Sequence, residues 1–92
     1  MKEYLPIGTI VKVNRGNEIN FMIVGLMVES GEGERRDYVA VKYPMGNVGK
    51  AQYYFFNHDH ISEIVHMGYV NEDHTIYVEL LNSVEKQISK EA

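Results

Sequence analysis

Cysteine is absent from the 92 residues. That excludes disulfides, thiolate metal ligands and thiol nucleophiles, and it suits a reducing compartment. Runs of lysine or arginine are missing too, and the formal net charge is −4. Affinity for phosphate backbones needs clustered positive charge, so no nucleic acid is expected as a partner. No apolar stretch is long enough to span a bilayer, and Met1-Lys2-Glu3-Tyr4-Leu5-Pro6 lacks the apolar core of a secretory signal. The chain therefore reads as cytoplasmic, with no membrane association. Repeats, low-complexity tracts and linkers are also lacking. With 45% hydrophobic content, residues 1–92 are expected to form a single small domain.

Catalytic patterns are equally scarce. No serine or threonine lies in a Gly-x-Ser-x-Gly elbow or beside a convincing histidine and acid. Asp59 and Glu63 would act as an acid/base pair only in an apolar pocket that raised one pKa, and they occur in a polar turn. Gly31-Glu32-Gly33 lacks the further glycine of a dinucleotide fingerprint. Gly46-x-x-Gly49-Lys50 lacks both the full spacing of a phosphate loop and a hydroxyl residue after the lysine. The expectation is a protein that is not an enzyme and needs no cofactor.

What the chain does contain is strand patterning. Thr9, Val11 and Val13 alternate with Ile10, Lys12 and Asn14, the period of a half-buried strand. Asn14-Arg15-Gly16-Asn17 is turn chemistry. Residues 19–28 are nearly all apolar and β-prone, which predicts the most buried element, with a bulge or bend at Gly25. Ser30 to Arg36 reads as a polar hairpin tip, and Tyr38 to Tyr43 as the next strand. A turn of helix over Asn57 to Ile61 and a strand over Ile64 to Tyr69, well covered, follow. Asp73 is a fitting cap for a last helix, whose stripe of Tyr77, Leu80, Leu81, Val84 and Ile88 recurs at helical spacing. That stripe is expected to pack on the helix's own sheet, the alternative being a docking face for another chain.

The predicted fold is mainly β with α+β character. It is a small, strongly bent antiparallel sheet or SH3-like barrel of four to five strands, with a C-terminal helix. An open sheet with the helix laid across one face is the alternative.

The most informative stretch is Tyr43-Pro44-Met45-Gly46-Asn47-Val48-Gly49, followed by four consecutive aromatics, Tyr53 to Phe56. In a strand, successive side chains point to opposite sides, so four aromatics cannot share one face. The expected parity is Tyr54 and Phe56 outward with Met45, and Tyr53 and Phe55 inward. Exposed tyrosine, phenylalanine and methionine favour contact with a protein. The candidate partner-binding residues are Tyr43, Met45, Val48, Tyr53, Tyr54 and Phe56. Stacking of nucleic-acid bases on the run would need more nearby cations than Lys42 and Lys50. A weaker alternative is a metal or small-ligand site at His58, Asp59 and His60, where two histidines would share a face if the segment were extended.

Several segments together carry a family likeness. They are Leu5-Pro6-Ile7-Gly8-Thr9-Ile10-Val11, Phe21-Met22-Ile23-Val24-Gly25, and Asp37-Tyr38-Val39-Ala40-Val41-Lys42-Tyr43-Pro44-x-Gly46. The last is Phe55-Phe56-Asn57-His58-x-x-Ile61-x-x-Ile64-Val65-x-x-Gly68-Tyr69. In this order the chain resembles a domain-of-unknown-function family of small proteins from Gram-positive bacteria, met in type VII secretion gene neighbourhoods beside toxins with an LXG targeting domain. The resemblance implies an accessory role as a chaperone or targeting adaptor, with a secreted toxin or its targeting segment as partner. It implies no catalytic residues.

Overall fold

The computed structural model describes residues 3–16, 18–29, 33–49 and 53–91, with side chains described through residue 87. Its elements are β1 (Ile10–Val13), β2 (Asn20–Glu29), β3 (Arg35–Tyr43), β4 (Tyr54–Phe56), a 3-10 turn (His58–His60), β5 (Ile61–His66) and α1 (Glu72–Glu91). The strands form one antiparallel sheet in the order β4-β3-β2-β1-β5. Closing a sheet into a barrel requires its two edges to pair. Here β4 offers only three residues and β5 pairs with β1 alone, so the sheet stays open rather than becoming an SH3-like barrel. No helix among the described residues is long and apolar enough to cross a membrane.

Strand β1 turns Val11 and Val13 into the core, and Thr9 before it is also buried, as the alternation predicts. In β2, Phe21 and Ile23 face the core, and then the rhythm breaks. The register against β3 shifts between Ile23 and Gly25, which marks a bulge. One extra residue reverses the parity, so Leu26 rather than Gly25 returns to the core and Val24 is turned outward. Only glycine fits, because a Cβ at position 25 would sit 2.5 Å from Val39 Cγ1. Strand β2 is not the most buried element: β3 buries four of nine residues and β1 two of four, against three of ten in β2. In β3, Tyr38 and Ala40 face the main core, and Asp37 and Val41, at the opposite parity, are buried as well. It also begins earlier than the pattern suggests, at Arg35.

Strand β5 departs from expectation twice. It runs from Ile61 to His66, and nearly all of its side chains are exposed. The cause is layering: among the described elements only β1 packs closely on it and α1 does not lie across it, so apolar residues at both parities are left without cover. Beyond it the chain is clamped at Gly68. Its N–H donates to the buried Thr9 Oγ1 at 3.0 Å, and a Cβ there would meet Ile7 O at 2.4 Å.

The start of α1 is held by Asn71, whose Oδ1 accepts from the His74 N–H at 3.1 Å. Asn71 therefore takes the capping role assigned to Asp73, because its acceptor stands three residues before a free amide of the first turn. The expected stripe is divided. Leu81 is 8% exposed and joins the core with Val78 packed beside it, whereas Leu80 is 55% exposed. Tyr77 and Val84 lie on the exposed side with Leu80, and the Ile88 side chain falls outside the described residues.

Candidate functional site

Pairing with β3 decides which aromatics face out. Phe56 stands opposite Tyr38, Phe55 opposite Val39 and Tyr54 opposite Ala40. Residues directly opposite in a ladder share a face. Tyr38 and Ala40 point into the core, so Phe56 must as well, at 5% exposure, while Phe55 at 38% is turned out. The expected parity is therefore reversed: Phe56 is a core residue and Tyr54 is half-buried, whereas Tyr53 and Phe55 are exposed. Phe56 stacks at 5.8 Å from Tyr38 and 6.3 Å from Phe21, between ring centroids. Tyr54 lies 5.0 Å from the Phe21 ring, and Lys42 Nζ sits 5.6 Å from the Tyr54 centroid. Both aromatics are thus occupied with holding β4 against the sheet.

Tyr43, Met45, Val48 and Tyr53 are all exposed, at the end of β3 and along the connection to β4. The described part of this loop is tied rather than loose. The Gly46 N–H donates to Lys42 O at 2.8 Å, with Gly46 at φ 69°, a left-handed conformation that favours glycine. Asn47 Oδ1 accepts from the Gly49 N–H at 3.1 Å, and its Nδ2 donates to the Tyr53 hydroxyl at 3.4 Å. Tyr53 is thereby fastened to the same loop that presents Met45 and Val48. Lys50 lies outside the described residues. Beside β4, a groove of about 420 Å³ is walled by Ile19, Phe21, Tyr54, Phe55, Phe56 and His60, among others. Of the candidate residues, the structure brings Met45, Val48 and Tyr53 together on one loop. Tyr54 and Phe56 belong instead to the groove wall and the core.

The second candidate centre is a brace between β3 and the 3-10 turn. The Asp37 N–H donates to Asn57 Oδ1 at 3.1 Å, and the His58 N–H donates to Asp37 Oδ2 at 2.9 Å. The Tyr38 hydroxyl lies 2.9 Å from His58 Nδ1 and accepts from the buried Leu5 N–H at 3.0 Å. His60 Nδ1 accepts from the Asn57 N–H at 3.0 Å, closing the turn. Both histidines are thus bonded within a helical turn and do not share the face that an extended segment would provide. Among the described residues no three histidine, aspartate or glutamate side chains are grouped to hold a metal ion.

His58 and Asp59 border a cleft of about 490 Å³ with Met27, Arg35, Arg36 and Asp37. Its charges are mixed, and Arg36 is already paired with Glu34. Met27 lies at φ 49°, an uncommon conformation for a methionine. Sequence reasoning missed Asp37 and Tyr38 as partners of Asn57 and His58. The signal was present, since both pairs stand in the segments that carry the family likeness.

No curated protein and no solved structure matches the chain. One family model does, over residues 4–76, which takes in the whole sheet, the brace and the first turn of α1. The chain belongs to the family described as a domain of unknown function, DUF4176.

Proposed function

We propose that the protein is a non-enzymatic, protein-binding accessory module acting in the cytoplasm. One observation carries this reading: Met45, Val48 and Tyr53 are exposed, on a connection whose described residues are tied by the Gly46–Lys42 and Gly49–Asn47 hydrogen bonds and by Asn47 to the Tyr53 hydroxyl. Exposed apolar groups on an ordered loop lose little conformational freedom when a partner covers them, which favours binding. Tyr43 and Phe55 extend the surface, and Tyr54 contributes one wall of the adjoining groove. The resemblance to a family met in type VII secretion gene neighbourhoods suggests a chaperone or targeting adaptor, with a secreted toxin or its targeting segment as partner.

The test is a pull-down from the native host, comparing wild-type protein with a Met45→Ala, Tyr53→Ala double variant by quantitative mass spectrometry. A partner kept by the wild type and lost by the variant, at unchanged melting temperature, supports the proposal. Equal recovery of every protein by both overturns it.

A second reading places a small-ligand or metal site at His58, Asp59 and His60; the cleft beside His58 and Asp59 favours it, while His60 lies outside that lining and is bonded to Asn57. A Zn²⁺ site present only in the folded protein would add about 3 kcal/mol at a hundredfold excess over Kd. A shift of that size, abolished by His58→Ala with His60→Ala, would move the assignment there.

A further inference from the structure

Lys42 stands where the alternation of β3 calls for an apolar side chain. It shares the parity of Tyr38 and Ala40, which are fully buried, and it pairs with Phe21 in the register against β2. Residues opposite in a ladder share a face, so Lys42 lies on the core-facing side of the sheet with Phe21 and Tyr54. The groove of about 420 Å³ opens at this end of the sheet, and its size is that of a small-ligand site. Its walls are aromatic: the Phe21 and Tyr54 rings lie 5.0 Å apart, and Phe56 stands 6.3 Å from Phe21.

Charge selects what fills it. Lys42 is half-buried with its Nζ over the Tyr54 ring, and among the described residues it forms no ion pair. The Asn14 N–H donates to His60 O at 2.9 Å, which seats the 3-10 turn at the end of β1 and brings His60 to the groove. Because the Asn57 N–H donates to His60 Nδ1, the ring carries its own N–H on Nε2. Asn14 adds a side-chain amide, so every polar side chain of the lining can donate. No aspartate or glutamate lines the groove, although the chain holds 13 acidic residues against nine lysines and arginines. A partly dehydrated ammonium beside apolar rings attracts an anion more strongly than one in open water. We propose that this groove binds a small aromatic carboxylate, with its ring against Phe21 and Tyr54 and its charge on Lys42. The site needs no partner on the loop that carries Met45 and Tyr53, and its test stands independently of that reading.

The probe is phenylacetate, titrated into the full-length, isotope-labelled protein and followed by the shifts of its amide NMR signals. Phenylacetamide, equal in shape and without the charge, is the control. The expected result is saturable shifts centred on Lys42, Tyr54 and His60, with the acid bound at least tenfold tighter than the amide. Lys42→Met keeps the apolar stem and removes the charge, so it should bring the acid down to the affinity of the amide. Lys42→Arg should keep the preference for the acid. A glycine-glycine-phenylalanine tripeptide, which presents the same chemistry at a chain end, should bind no tighter than phenylacetate. Four results overturn the proposal. Phenylacetate causes no saturable shift in the wild type, or shifts only residues away from the groove. The acid and the amide bind equally well. Lys42→Met, with an otherwise native spectrum, still prefers the acid. Alternatively, the tripeptide binds at least tenfold tighter than phenylacetate, which would make the end of another chain the occupant.

Discussion

Replacing Tyr38 with phenylalanine removes a single oxygen from the centre of the fold and unties two elements at once. That oxygen accepts the Leu5 N–H at 3.0 Å and contacts His58 Nδ1 at 2.9 Å, and the Tyr38 side chain is fully buried. Leu5 is itself buried, so its amide would be left without an acceptor, at a cost of about 1–3 kcal/mol. His58 is exposed and can turn to water, so losing its bond costs only about 0.5–1.5 kcal/mol. The ring stays in place against Tyr4 and Phe56, and little packing is lost. The expected total is about 2–4 kcal/mol by urea denaturation, with an unchanged m-value. His58→Ala in the same cycle should show a coupling of about 0.5–1.5 kcal/mol with Tyr38→Phe. A Tyr38→Phe loss below about 0.5 kcal/mol, or no coupling, would refute the brace as a source of stability.

Three further outcomes follow from particular contacts. Gly68→Ala should destabilise by more than about 1 kcal/mol in chemical denaturation, because its Cβ would lie 2.4 Å from Ile7 O and backbone atoms cannot give way cheaply. Leu81→Ala should cost about 2–5 kcal/mol while Leu80→Ala stays within about 0.5 kcal/mol, and comparable losses would refute the division of the stripe. Phe56→Ala should cost about 3–5 kcal/mol in the same assay, whereas Phe55→Ala, on the outward face, should cost much less.

Local chemistry made much of the fold readable. The alternation in β1, the bulge at Gly25, the turn over His58–His60 and the final helix each depend on neighbours in the chain. The missed features depend on partners far away in sequence. The parity of Tyr54 to Phe56 is set by register against Tyr38 to Ala40, and no property of the run itself distinguishes the two choices. Leu80 and Leu81 both fit a helical stripe, and only the position of the sheet decides which is buried. The exposure of β5 follows from the absence of a close-packed layer over it, which alternation cannot reveal. In the candidate site, Tyr43, Met45, Val48 and Tyr53 stand out because turn residues interrupt an aromatic-rich stretch. The Asp37–Asn57 and Tyr38–His58 contacts join residues twenty or more positions apart and needed the fold.

The most direct measurement is a calorimetric titration of the purified partner, once captured, against wild-type protein and Tyr53→Ala. Tyr53 is exposed, so its truncation should leave stability within about 0.5 kcal/mol. If the pinned loop is the binding surface, losing this anchor should weaken binding by about 2 kcal/mol, roughly a thirtyfold rise in Kd, with Tm unchanged. Equal affinity for the two proteins would contradict the assignment of function to this loop.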